Sequence, residues 1–220
     1  MINIEGLINF LTYYHYIGLL TLILASYFYL TRKVTFPLII PFLFINCVVE
    51  IILVYYYSVK IRNSLVVYNY FNIIVILYYF YIYYNYFKPK SWSKYITYAA
   101  MFWSFYVIYI FTFENVFNKF HYHYLYGLLV IVILIFILLK NILESNEIIE
   151  IKKLPIFYFS LGILLFFFCA LPLLVFSNTL LTGSLNNYKL LSQLIEYANI
   201  FLNLGYLGTV LWTGVNKQNM

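Results

Sequence analysis

Charge is what this 220-residue chain has least of: 9% of its residues are charged, against about a quarter in a water-soluble domain. Aspartate is missing altogether, and the seven acidic residues are all glutamate. A surface so poor in charge cannot face water over most of its area, which leaves no room for a soluble domain of ordinary size. The thirteen lysines and arginines give a net charge of +6, but they stand in short stretches between apolar runs. That is the pattern of topology signals and not of a phosphate-binding face, so nucleic acid is not expected as a partner. Cysteine is nearly as scarce. Cys47 and Cys169 both lie inside apolar runs, where a thiol packs as a small hydrophobe, and they make neither a disulfide framework nor a CxxC metal motif. The opening MINIEGLINF lacks the basic start of a cleavable signal peptide, so the first apolar run is expected to remain as a membrane span. Enzyme signatures are missing too: there is no GxSxG, HExxH or Walker loop, and no enzymatic activity, cofactor or metal is expected.

What is present is hydrocarbon. Hydrophobic residues make up 65% of the chain and the mean hydropathy is +0.89, values of a polytopic membrane protein whose first partner is the lipid bilayer. A helix crossing a core of ~30 Å takes roughly 20 apolar residues. Seven such runs stand out, at about 8–30, 34–57, 65–87, 95–113, 122–139, 154–177 and 190–212. Barrel strands would alternate polar and apolar residues over about half that length, whereas these runs are continuously apolar. The expected fold is therefore all-α, a single seven-helix transmembrane bundle spanning the whole chain.

Lysine and arginine orient it. With the N-terminus outside, the inner side holds Arg32, Lys33, Lys88, Lys90, Lys94, Lys140, Lys152, Lys153 and Lys217, and the outer side Lys60, Arg62, Lys119 and Lys189. The excess favours N-out, C-in, and multi-pass insertion in a bacterial inner membrane. The inner stretch KNILESNEIIEIKK at 140–153 repeats glutamate every third residue, at Glu144, Glu147 and Glu150. It reads either as a solvated helix end or as a docking surface for a cytoplasmic or membrane partner. Pro37, Pro41 and Pro172 fall inside apolar runs, where proline removes a backbone donor and tends to kink the helix.

Polar residues inside such runs are expensive and mark a pathway or a pocket. Asn46 and Glu50 are four apart in the second run, and Asn69 and Asn72 three apart in the third. Glu196, Asn199 and Asn203 fall at i, i+3 and i+7 in the seventh, so each set lines one helix face. With His15 in the first run, these groups all occupy the outer half under the N-out arrangement. Glu50 is expected to carry a proton or to pair with a cation such as His15. Asparagine, which both donates and accepts, suits either state. The plainer reading is that each Asn bonds neighbouring helices together, worth about 0.6 kcal/mol, and that His15 is a packing histidine. His121 and His123 form HxH in a predicted outer loop, too few ligands for a metal site.

The segments VVEIILVYYY at 48–57, NSLVVYNYFNIIVILYYFYIYY at 63–84, KKLPIFYFSLGILL at 152–165 and LIEYANIFLNLGYLGTVLW at 194–212 resemble small seven-span membrane proteins of Bacteroidota, similar ones being encoded near sensor histidine kinases. Glu50, the Pro155-Ile156-Phe157 helix start, and Asn199 with Asn203 before Leu211-Trp212 carry the resemblance. Such proteins often have Asn directly before the second-helix Glu; Val49 stands there, with Asn46 one turn earlier. The resemblance implies signalling and no defined activity. The expected function is thus a receptor-like or signalling-accessory protein, with an outer polar pocket for an unknown small ligand or a proton, read out at 140–153 by a sensor kinase. The rivals are a small proton- or cation-coupled transporter or channel, and a structural membrane subunit.

Overall fold

In the computed structural model, residues 12–32, 36, 38–58, 64–88, 92–113, 123–144, 154–180 and 185–215 are described. Among them the chain forms seven helices: α1 (Tyr13–Arg32), α2 (Ile39–Ser58), α3 (Ser64–Phe87), α4 (Ser93–Phe113), α5 (His123–Leu143), α6 (Pro155–Leu180) and α7 (Leu185–Val215). Each contains a stretch long and apolar enough to cross a membrane. In hydrocarbon every backbone N–H and C=O must find its partner within the chain, and a helix does this inside each run. The predicted starts at 8, 34 and 122 fall outside the described residues; the other ends agree with the helices to within five residues. Leu30 of α1 and Phe102 of α4 are 82% and 80% exposed, which water would penalise and lipid does not. These features make it a multi-pass membrane protein.

Proline behaves less dramatically than the sequence suggests. Pro37 is outside the described residues. Pro41 sits in the first turn of α2, where its missing N–H would have had no helical acceptor, so it gives no reason for a kink. Pro155 opens α6, as expected, and among the described residues only Pro172 lies in a helix interior.

The helices gather into two compact units. The first comprises α1, most of α2, α6 and α7. Here α7 is the central element, because small residues let it approach its neighbours. A Cβ added to Gly205 would lie 2.6 Å from the Gly162 Cα on α6 and 2.9 Å from the Tyr158 carbonyl oxygen, so the two backbones are in direct contact. Thr209 donates to the carbonyls of Gly205, at 2.8 Å, and Pro155, at 3.3 Å, and closes the same seam. Tyr206, 1% exposed, packs against Phe159 of α6 and edge-on against Phe42 of α2. This seam fixes the depth and rotation of α7 and with them the position of Asn203.

The second unit comprises α3, α4 and most of α5. Gly127 of α5 accommodates Trp103 of α4 and Ile76 of α3, whose atoms would stand within 2.9 Å of an added Cβ. The buried Trp103 indole N–H donates to the His123 carbonyl at 2.9 Å. Trp103→Phe is expected to keep the ring packing but lose this bond, lowering stability by about 1 kcal/mol. Thermal unfolding in detergent measures it, and an unchanged midpoint would show the bond to be idle.

Candidate functional site

The site grows from the first turn of α1. Thr12 precedes the helix and His15 stands at its third position, with the His15 N–H bonded to the Thr12 carbonyl at 3.1 Å. The imidazole reaches back in turn: the Thr12 N–H donates to Nδ1 at 3.1 Å, and the Thr12 hydroxyl lies 3.0 Å from the same nitrogen. The ring capping the N–H of the residue before the helix is one half of a capping box, with histidine in the place usually held by glutamate or glutamine. Because Nδ1 accepts, a neutral ring carries its proton on Nε2, a tautomer assigned from the hydrogen bonds.

Nε2 points at α2. It lies 3.7 Å from Glu50 Oε2, with the two side chains 5% and 16% exposed. The same carboxylate oxygen accepts from the Tyr14 hydroxyl at 3.3 Å, and the Tyr14 and His15 rings stack with centroids 4.0 Å apart. One carboxylate thus meets two side chains from adjacent positions of α1, Tyr14 donating to it and His15 standing at ion-pair distance. At 3.7 Å the imidazole contact is within ion-pair range and longer than a good hydrogen bond.

From α7 comes Asn203, 5% exposed. Its Nδ2 donates to the Asn199 carbonyl one turn earlier at 3.0 Å, which turns Oδ1 the other way, towards α1. There Gly18 makes the space: a Cβ on it would lie 3.2 Å from Asn203 Oδ1 and 4.0 Å from Cys47 Sγ. Between the three helices is a cavity of about 20 Å³, lined by Tyr14, His15, Gly18, Leu19, Asn46, Cys47, Glu50, Ile51 and Asn203. That volume admits a water molecule, which needs about 10–15 Å³, and is far below the hundreds of Å³ typical of an organic ligand site.

Of the residues expected to form a pocket, His15, Asn46, Glu50 and Asn203 line this one cavity. Asn199 contributes its backbone carbonyl. Glu196 does not line it: seven residues before Asn203 on α7, it is displaced by ~10 Å along the axis, half-buried near the start of the apolar stretch Gln193–Thr213. Asn69 and Asn72 belong to the second unit, where both are buried. There the Asn69 carbonyl lies 3.3 Å from His123 Nε2. His123 is not in a loop but opens α5 and is fully buried; His121 is outside the described residues. Among the described residues no cluster of three or more His, Cys, Asp or Glu is arranged to hold a metal. On the stretch 140–153 the described part ends at Glu144, whose carboxylate pairs with Lys140 at 3.7 Å on an exposed face.

Sequence reasoning missed Thr12, Tyr14 and Gly18, and took Cys47 only as a hydrophobe. Tyr14 is one of 27 tyrosines and carries no signal by itself. The spacing Thr12-x-x-His15 did carry one, as an N-terminal box with an unusual acceptor. Compared with protein-family models, curated proteins and solved structures, the chain matches none.

Proposed function

We propose that this chain is a non-enzymatic, receptor-like membrane protein that responds to protons through Glu50 and His15. The observation that carries the reading is the 3.7 Å approach of His15 Nε2 to Glu50 Oε2 beside a cavity too small for an organic ligand. A buried carboxylate and imidazole can hold one or two protons between them, and the change in charge alters how strongly α1 and α2 attract. We place the N-terminus outside a bacterial inner membrane, on the lysine and arginine distribution, and assign the readout to the inner stretch 140–153 and a signalling partner there.

Cation transport is the weaker reading, on two grounds. His15, which lines the cavity, has its Nδ1 lone pair taken by the Thr12 N–H, so its ring offers a cation no ligand. The buried hydroxyls of Thr21, Thr209 and Thr213 are spent on carbonyls of their own helices, so they do not extend a polar path from Asn203.

Glu50→Gln tests the proposal. Glutamine keeps the shape and can still accept from Tyr14, so the protein is expected to fold. Any group that binds protons differently in the folded and unfolded states makes stability pH-dependent. Wild-type protein in lipid nanodiscs is expected to show a pH-dependent unfolding midpoint between pH 4 and 9, and the variant a flatter one. Equal pH profiles would remove Glu50 from the mechanism. Proton flux into vesicles that this substitution abolishes would establish transport instead.

A further inference from the structure

The cavity carries a more specific assignment, because two of the residues lining it carry complementary polar atoms. His15 Nε2 and Asn203 Oδ1 are buried and, among the described residues, neither has a hydrogen-bond partner. Their side chains belong to residues 8% and 5% exposed, and both line the same 20 Å³ space. Neither is free to reorient. The Thr12 N–H holds Nδ1 as an acceptor and so leaves a donor at Nε2, while the Asn199 carbonyl holds Nδ2 and so leaves an acceptor at Oδ1. A buried donor or acceptor left unsatisfied costs about 1–3 kcal/mol, and one end here offers a hydrogen where the other offers lone pairs.

We propose that the cavity is a binding site for a single water molecule that accepts from His15 Nε2–H and donates to Asn203 Oδ1. Water is the only common occupant that suits both atoms and the volume. Sodium would satisfy Asn203 Oδ1 and face the positive end of the imidazole N–H. A chloride ion would satisfy Nε2–H and face both Oδ1 and the Glu50 carboxylate. The other titratable groups at the cavity are Tyr14, whose hydroxyl is committed to Glu50, and the Cys47 thiol; α7 supplies none. The second hydrogen of the water is left for Glu50 or Asn46, both of which line the space.

The consequence concerns how a proton is felt. Glu50 and His15 tie only α1 to α2, whereas the water adds α7 at Asn203, midway along the Gln193–Thr213 stretch. A change of charge on His15 or Glu50 reorients the water and alters its bond to α7. This consequence rests on the proton-responsive reading above; the water site itself does not.

Proton-detected solid-state NMR of the full chain in lipid bilayers, labelled with ¹⁵N at histidine and asparagine and with ¹³C at glutamate, tests the two separately. The expected spectrum has His15 protonated on Nε2, with a cross peak from that proton to a bound water. In Asn203→Leu, which removes the acceptor and fills its place, the water contact is expected to disappear. A His15 protonated on Nδ1, an Nε2 proton without water contact, or an unchanged water contact in Asn203→Leu overturns the site. If that variant does not fold, the wild-type spectrum alone decides. A wild-type water cross peak with no change at His15 or Glu50 between pH 4 and 9 upholds the water and defeats the proton-responsive function.

Discussion

Gly205→Ala is expected to destabilise the first unit by about 3 kcal/mol, at the upper end of what overpacking a well-filled interface costs, and Gly205→Leu is expected to prevent folding. A Cβ at this position meets the Gly162 Cα at 2.6 Å, the Tyr158 carbonyl oxygen at 2.9 Å and the Gly162 nitrogen at 3.0 Å. All three are backbone atoms, so no rotamer change relieves the contact and the helices must separate. Gly162→Ala meets the Gly205 Cα at 2.8 Å and two α7 carbonyls beyond 3.1 Å, and its effect should be nearly as large. Gly208 is the control: its Cβ would meet only side-chain atoms of Tyr158, the nearest at 3.0 Å, and a ring can tilt. Unfolding midpoints in detergent should therefore fall in the order wild type, Gly208→Ala, Gly162→Ala, Gly205→Ala. A Gly208 variant as damaged as Gly205→Ala would show that close helix approach is not what the glycines supply. In lipid, apolar burial does little to hold helices together, so contact between backbones at small residues carries a large share. Separating α7 from α6 also moves Asn203, two residues before Gly205, and is expected to blunt any pH response as well.

How far the sequence revealed this follows from the range of each signal. The seven helices were legible because a run of about 20 apolar residues is a local property, set by the thickness of the bilayer and by backbone hydrogen bonding. Part of the site was legible for a similar reason. Glu50, His15, Asn46 and Asn203 stand out where polar groups are costly, and the i, i+4 spacing puts Asn46 and Glu50 on one face. Which faces meet is not local. Asn203 and Glu196 share a face of α7 by spacing, yet only Asn203 lies level with the cavity, because the Gly162–Gly205 crossing and not the polar spacing sets the depth of α7. Gly18 shows the same limit. Its significance is a distance of 3.2 Å to a residue 185 positions later, which no periodicity reports. His123 was misplaced because a helix start inside an apolar bundle looks, in sequence, like the end of a loop.

The pair at the centre of the site makes the last prediction, which concerns what kind of interaction it is. His15→Leu and Glu50→Leu are each expected to lower stability by about 3 kcal/mol, while the double variant recovers to within about 1 kcal/mol of wild type. Removing His15 leaves a nearly buried carboxylate with the Tyr14 hydroxyl at 3.3 Å as its only hydrogen-bond donor among the described side chains. It also leaves the Thr12 N–H without the acceptor it has at Nδ1. Removing Glu50 takes the carboxylate acceptor from the Tyr14 hydroxyl and the ion-pair partner from His15. Replacing both removes the two groups that can carry charge, the carboxylate and the imidazole, and substitutes packing that suits an apolar bundle. The four proteins, unfolded under one set of conditions, give the coupling directly, and additive losses would mean that the 3.7 Å contact is incidental. Recovery in the double variant has a further implication. A pair that two leucines replace without loss is not needed to hold α1 against α2, so what it adds must lie in the proton it holds and not in the stability it confers. The pH profile of that double variant, expected to be flat where the wild type is sloped, then separates the two roles in a single protein.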